Sequence, residues 1–287
     1  MLAPAAHLAL ALAVAVAAGE GAPPAAAAPE AAAALAVAAP PIDRFPGAAA
    51  AYLLEVDGRP LWARQPDRPR PPASLTKLMT ALVLLDGPFA PEAPVTVSAR
   101  AAHETGTRLG LRVGERLKAG DALAATLVAS ANDACLALVE QAAGTQEAFV
   151  ARMNAKAAAL GLAASRYRNA CGHDAPGHAA SARDLLTVAR AALAHPAFRH
   201  LVALEAGTIT TLGGRALPLK TTNALLGRLP GARGIKTGFT PGAGRCVVAL
   251  VERDGREVLL VLLDASDRWW SAAGLVEAAF AAARPGG

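Results

Sequence analysis

The chain has 287 residues, 28 Lys and Arg against 23 Asp and Glu, a formal net charge of +5, 54% hydrophobic residues and only 4% aromatic ones. That length holds one large domain or two lobes around a shared cleft. With so few aromatics and no basic block, stacking platforms for nucleic acid are scarce, and three widely spaced cysteines make no zinc pattern, so no nucleic-acid partner, metal or cofactor is expected.

Residues 1–41 contain no Lys or Arg and are dominated by Ala, Leu, Val and Pro. Leu8 to Ala18 is an apolar run of secretory length, too short to span a bilayer, and Ala15-Val16-Ala17 offers a small-residue cleavage pattern, although Met1 to His7 lacks a basic n-region. Residues 1–45 are therefore expected to be a signal peptide and an Ala/Pro-rich leader, with a periplasmic or otherwise extracytoplasmic destination. The remainder, 46–287, carries 27 basic and 20 acidic side chains, a net +7 that suits polyanionic envelope or acidic peptides.

From residue 48 the apolar run Ala50 to Val56, the turn Asp57-Gly58 and Arg59 to Arg64 predict a hairpin. Pro71-Pro72 then blocks helix, and Ser74-Leu75-Thr76-Lys77 opens an apolar helix that stops at Asp86-Gly87-Pro88. Residues 95–98 read as a short β piece, 101–117 as a glycine-rich loop, and 119–128, 134–143 and 146–160 as helices, the last two broken at Gly144. Residues 167–180 form an irregular loop, and Ser181-Ala182-Arg183-Asp184 caps a helix running to about His195-Pro196. After Gly207 the period becomes that of strands: a small hairpin over 207–219, a strand over 234–240, and two apolar strands, 246–252 and 256–263, whose continuous apolar character implies cover on both faces. A helix over 269–283, with Trp269 and Trp270 packing it onto the sheet, completes the set. Strands first and last around a helical block give an α+β fold: an antiparallel sheet flanked by helices, a helical subdomain over about 88–206, and a cleft between them. Cys135 and Cys246 lie among apolar residues and read as buried small hydrophobes. His103, His195 and His200 read as surface residues, and His173 and Asp174 as cleft-loop residues without a proton-transfer role.

Three motifs stand in order: Ser74-x-x-Lys77, Ser130-Ala131-Asn132 and Lys236-Thr237-Gly238, separated by 56 and 106 residues from serine to serine to lysine. A helix-opening serine usually caps, and a lysine one turn later usually meets solvent. Together, however, the trio is the signature of β-lactamases and penicillin-binding proteins. The chain resembles the low-molecular-mass penicillin-binding proteins that are D-alanyl-D-alanine carboxypeptidases, over about Tyr52 to Phe280, including Ala73 to Thr80, Ser130 to Cys135, Phe149 to Asn154, Gly172 to Ala175, Ser181 to Asp184 and Gly234 to Gly238.

The resemblance implies a β-lactamase/D,D-peptidase-like fold and trimming of peptidoglycan stem peptides through an acyl-enzyme on Ser74, with β-lactam antibiotics as covalent inhibitors. Ser74 is the expected nucleophile and Lys77 its neutral base, its pKa depressed by a charged Lys236 nearby; Ser130 relays a proton to the departing amine. Asn132 would bond substrate backbone and Lys77, and Thr237 with Lys236 would take the terminal carboxylate, joined by Arg268 on the family's pattern. Gly238 leaves room for a peptide along the strand edge, and the N–H groups of Ser74 and Phe239 would form the oxyanion hole. A D,D-endopeptidase cutting cross-links is the alternative with the same chemistry. A class A β-lactamase needs a cleft-loop glutamate, which none of Glu140, Glu147 and Glu205 is set to supply. A non-enzymatic penicillin sensor would need an apolar span that the sequence lacks. Only 51 residues follow Lys236, so a single-domain form without a C-terminal membrane anchor is expected.

Overall fold

The computed structural model describes residue 43 and residues 45–283, so the leader read over 1–45 lies almost wholly outside the described residues. Strands β1 (Ala51–Val56) and β2 (Arg59–Arg64) form the expected hairpin. Its two turn residues, Asp57 and Gly58, both adopt positive φ, as a turn matching the strand twist requires. A single 3₁₀ turn, Ala73–Leu75, then feeds α1 (Thr76–Leu85), placing Ser74 just before the α-helix and Lys77 in its first turn.

β3 (Pro94–Thr96) pairs with β4 (Arg116–Lys118), and the glycine-rich segment between them also contains a one-turn helix, α2 (Ala99–Ala102), capped by Ser98. Next come α3 (Ala119–Leu127), α4 (Asn132–Ala143) and α5 (Gln146–Ala159), with Gly144 separating the last two. The irregular loop leads to α6 (Ala182–Leu193), whose cap Ser181 accepts from Asp184 N–H. The sequence reading ran this helix to His195-Pro196; instead Pro196 starts a separate helix, α7 (Pro196–Val202), because proline fits the first helical position, where no N–H is needed. The hairpin β5 (Ala206–Thr210) and β6 (Ala216–Lys220) follows, then β7 (Ala232–Thr240), β8 (Gly244–Arg253), β9 (Arg256–Ala265) and α8 (Arg268–Ala282).

The main sheet is antiparallel in the order β2-β1-β9-β8-β7. The first hairpin docks on β9, the last strand in chain order, so the helical block is an insertion between strands of one sheet, and β7 is left at an edge. Side chains alternate along each strand. Leu259, Val261 and Leu263 face the large core built by α1, α3, α4, α5 and α6, while Val258, Leu260 and Leu262 face Leu275, Val276 and Ala279 of α8. That explains the unbroken apolar runs of β8 and β9 in an antiparallel sheet.

Two expectations need correction. Trp269 packs against the sheet, but Trp270, one residue on around the helix, is 76% exposed. Cys246 is a buried free thiol as expected, whereas Cys135 is disulfide-bonded to Cys171. An apolar neighbourhood cannot distinguish a buried thiol from a half-cystine, since both are small and hydrophobic.

Candidate active site

The Ser74 turn is held in an unusual backbone shape. Ala73 has φ +48, a left-handed value that costs a non-glycine residue energy and persists only when its surroundings enforce it. Two glycines do so. A Cβ on Gly172 would lie 2.2 Å from Ala73 O, and one on Gly238 would lie 3.1 Å from Ser74 N. Both the irregular loop and strand β7 therefore press backbone against the serine. Thr76 completes the support, donating its hydroxyl to Ala73 O at 2.8 Å and meeting His178 Nε2 at 2.8 Å. Since Arg168 N–H donates to His178 Nδ1, the ring proton sits on Nε2 and points at Thr76. Burial, opposed by Asp174 and reinforced by His173 and Arg168, pushes His178 down to about 4, so it is neutral.

Lys77 is fully buried, and its ammonium nitrogen lies 3.1 Å from Ser74 Oγ, 2.7 Å from Asn132 Oδ1 and 2.6 Å from Cys171 O. Burial pushes its pKa down to about 7, with the charge of Glu104 acting in the opposite direction. Asn132, the first residue of α4, is oriented by donating Nδ2–H to Thr105 O at 2.7 Å. The next residue, Asp133, accepts from the N–H groups of Leu109, Gly110 and Leu111 and so ties the glycine-rich loop to α4.

Lys236, on β7, donates to Ser130 Oγ at 2.8 Å and to Thr237 O at 3.0 Å. Ser130 itself has φ +59, and the cap position of α4 belongs to Ala131, so this serine does not cap. The sequence reading attributed the lowered Lys77 pKa to a charged Lys236. Burial is instead the cause at Lys77, and Lys236 is itself pushed well below its ordinary value by burial, then by Lys77 and Arg268. Its hydrogen-bond partners are both neutral, so nothing in contact fixes a charge on it.

Around this centre, Thr237 Oγ1 is 2.6 Å from Thr222 Oγ1, and the Phe239 side chain is 61% exposed at the strand edge. Arg268 lies behind the strand: its Nη1 donates to Gly238 O at 2.7 Å and its guanidinium stacks 4.5 Å from the Trp269 ring. Burial lowers its pKa, and its Nε has no hydrogen-bond partner. The structure thus brings Ser74, Lys77, Ser130, Asn132, Lys236, Thr237 and Gly238 together. Among the described residues, no cluster of three or more His, Cys, Asp or Glu side chains could hold a metal ion.

Sequence reasoning missed Glu104, Thr222, His178 and the Cys171 carbonyl. The carboxylate acting on Lys77, Glu104, comes from the loop before β4 and not from the segment between Asn132 and Lys236. Glu104 pairs with His173 Nε2 at 2.7 Å, and although burial works to raise its pKa, that hydrogen bond and charge outweigh it and lower it. Asp174, on the neighbouring position, accepts from Thr240 Oγ1 and Gly242 N–H, joining the loop to the end of β7.

A family model described as D-alanyl-D-alanine carboxypeptidase matches residues 39–267. The D-alanyl-D-alanine carboxypeptidase DacF of Bacillus subtilis is 31% identical over 224 residues, covering 76% of this chain and 58% of that protein. A D-alanyl-D-alanine endopeptidase of Pseudomonas aeruginosa is 33% identical over 220 residues, covering 74% of this chain and 69% of that one. Among solved structures, the DD-transpeptidase of Streptomyces K15 superposes with a TM-score of 0.78 at 27% identity, covering 82% of this chain and 97% of that one.

Proposed function

As the chain belongs to the D-alanyl-D-alanine carboxypeptidase family, we propose that it hydrolyses the bond between the two terminal D-alanines of peptidoglycan stem peptides through an acyl-enzyme on Ser74. Penicillins would acylate the same oxygen. The observation that carries this reading is a buried amine, lowered to about pH 7, lying 3.1 Å from a serine hydroxyl. A lysine in that state is neutral often enough at neutral pH to act as a base.

In the proposed sequence, Lys77 Nζ takes the Ser74 proton as Oγ bonds to the substrate carbonyl carbon. The negative oxygen that develops is received by the N–H groups of Ser74 and Phe239, each such donor contributing about 2.7–4 kcal/mol. Collapse expels D-alanine, whose nitrogen takes a proton through Ser130 Oγ, with Lys236 2.8 Å behind it. Water then hydrolyses the ester. The peptide lies along the edge of β7, its backbone met by Asn132, and its carboxylate is taken by Thr237 with Lys236, Arg268 supporting that strand from behind. Arg268 acts there chiefly through the Gly238 carbonyl that it holds.

The domain reading goes with this one: 46–287 is the catalytic domain, with its helical part over about 88–206, preceded by a leader that exports it. The Cys135–Cys171 disulfide supports an oxidising, extracytoplasmic compartment, since such bonds are rare in a reducing cytosol. No described helix is long and apolar enough to cross a membrane. Cleavage of cross-links is a second reading, favoured by the likeness to the Pseudomonas endopeptidase. The test is labelling with fluorescent penicillin followed by mass spectrometry: the adduct is expected on Ser74, and its absence overturns the reading. Release of D-alanine from a pentapeptide, compared with cutting of cross-linked dimers, then separates the two peptidase activities.

A further inference from the structure

The irregular loop between α5 and α6 touches the site through backbone rather than side chains. Cys171 O accepts from Lys77 at 2.6 Å, Ala170 O accepts from Thr80 one turn further along α1 at 2.6 Å, and Gly172 packs against the Ala73–Ser74 peptide. Backbone carbonyls in a segment without regular structure have no ladder to hold them. Asn169 orders one end, its Oδ1 accepting from the N–H groups of Gly172 and His173. Gln146 Oε1 accepts from Ala170 N–H at 3.2 Å, and a further fastening is covalent: Cys171 is bonded to Cys135, which lies on α4 one turn beyond Asn132. Asn132 Oδ1 also accepts from Lys77, at 2.7 Å. One bond therefore links the two elements whose oxygens grip the same amine.

We propose that the Cys135–Cys171 disulfide is a positioning element for acylation, holding the Cys171 carbonyl and the Asn132 amide oxygen on Lys77 at once and keeping water from between them. The proposal rests on the reading of Ser74 and Lys77 as nucleophile and base. Without the bridge the Cys171 carbonyl is held only through the hydrogen bonds of its neighbours, so it can shift, water can reach the amine, and the amine's orientation toward Ser74 Oγ loosens. Misplacement on the scale of 1 Å can cost about a hundredfold in rate. The charged and titratable groups around Lys77 are Glu104 from the loop after α2, His173 of the irregular loop paired to it, and Lys236 of β7, with Arg268 beyond; the bridge removes or adds none of them.

The test compares oxidised protein, protein refolded in reductant, and the C135A/C171A variant. Labelled penicillin run to completion counts competent sites, so the acylation rate is expressed per site and partial unfolding does not enter it. In parallel, NMR of labelled lysine follows the titration of Lys77. Expected are a per-site rate lowered about ten- to a hundredfold, a Lys77 midpoint raised by about one unit as water reaches it, and recovery of both on reoxidation of the refolded protein. An unchanged per-site rate and midpoint, with only a lower Tm, would overturn the proposal. If oxidised protein forms no adduct at all, the peptidase reading fails instead, and the Lys77 midpoint alone decides whether the bridge positions the amine.

Discussion

Lys77 and Lys236 are both buried beside a serine hydroxyl, yet their pockets are built differently. Lys77 sits in the first turn of a helix, with three oxygens around it drawn from the 3₁₀ turn, α4 and the irregular loop, and with Glu104 acting on it from a distance. Lys236 sits on a strand with two neutral acceptors and with two cations, Lys77 and Arg268, acting against its charge. A carboxylate near one amine and cations near the other mean that similar depth does not give similar protonation. Lys77 is the base because of where it lies, 3.1 Å from Ser74 Oγ, and burial alone lowers its pKa, so a charged Lys236 is not needed to make it neutral.

The largest expected effect removes the oxygen that Lys77 serves. Ser74→Ala should fold and form no covalent penicillin adduct by intact-mass measurement. Next, Lys77→Met should lower the acylation rate by about 10²–10⁴-fold, the range for losing a positioned base. Lys236→Met should cost less, since a proton relay through Ser130 remains.

The pH profile sharpens the same contrast. Only neutral Lys77 accepts a proton, so acylation should rise with pH through a midpoint near 7 and level off above it. Because burial sets that midpoint, it should stay near 7 in Lys236→Met. A midpoint that climbs by a unit or more would mean that repulsion between the two amines outweighs burial.

A smaller effect concerns the wall behind Ser74. His178 has a folded-state pKa of about 4 against about 6.5 in the unfolded chain. Between those values the unfolded state binds a proton that the folded one does not, so stability from this group is complete above about 6.5 and is lost as pH falls toward 4, by up to about 3 kcal/mol. Urea melts at both pH values should show this loss, and His178→Gln should flatten it. The smallest effect is expected from Thr222→Val, which deletes one hydroxyl contact to Thr237. Losing a neutral hydrogen bond of about 0.5–1.5 kcal/mol should raise KM for the pentapeptide a few-fold and leave kcat nearly unchanged.

Much of this was legible before any fold was known. The hairpin at Asp57-Gly58, the cap at Ser181 and the two-faced strands β8 and β9 follow from local turn chemistry and side-chain alternation. The motif residues were legible because each short motif is held within one turn or one strand. The partners that tune them were not. Glu104 and His173 are 69 positions apart, Thr76 and His178 102 apart, and Lys77 and the Cys171 carbonyl 94 apart. Three cysteines allow three pairings, and nothing local to Cys135 chooses among them.

By itself, then, the sequence determined which functional groups exist and on what elements they ride: a serine and lysine one turn apart at a helix start, a second serine and an asparagine leading into another helix, a lysine on a strand. Tertiary structure alone decided which lysine is gripped by which oxygens, that Arg268 lies behind Gly238, that Cys171 is the partner of Cys135, and how far each pKa moves. The physical reason is that hydrogen-bonded turns and alternating faces depend on near neighbours in the chain, whereas desolvation and charge depend on whatever distant segments close over a group when the sheet and the helical insertion pack together.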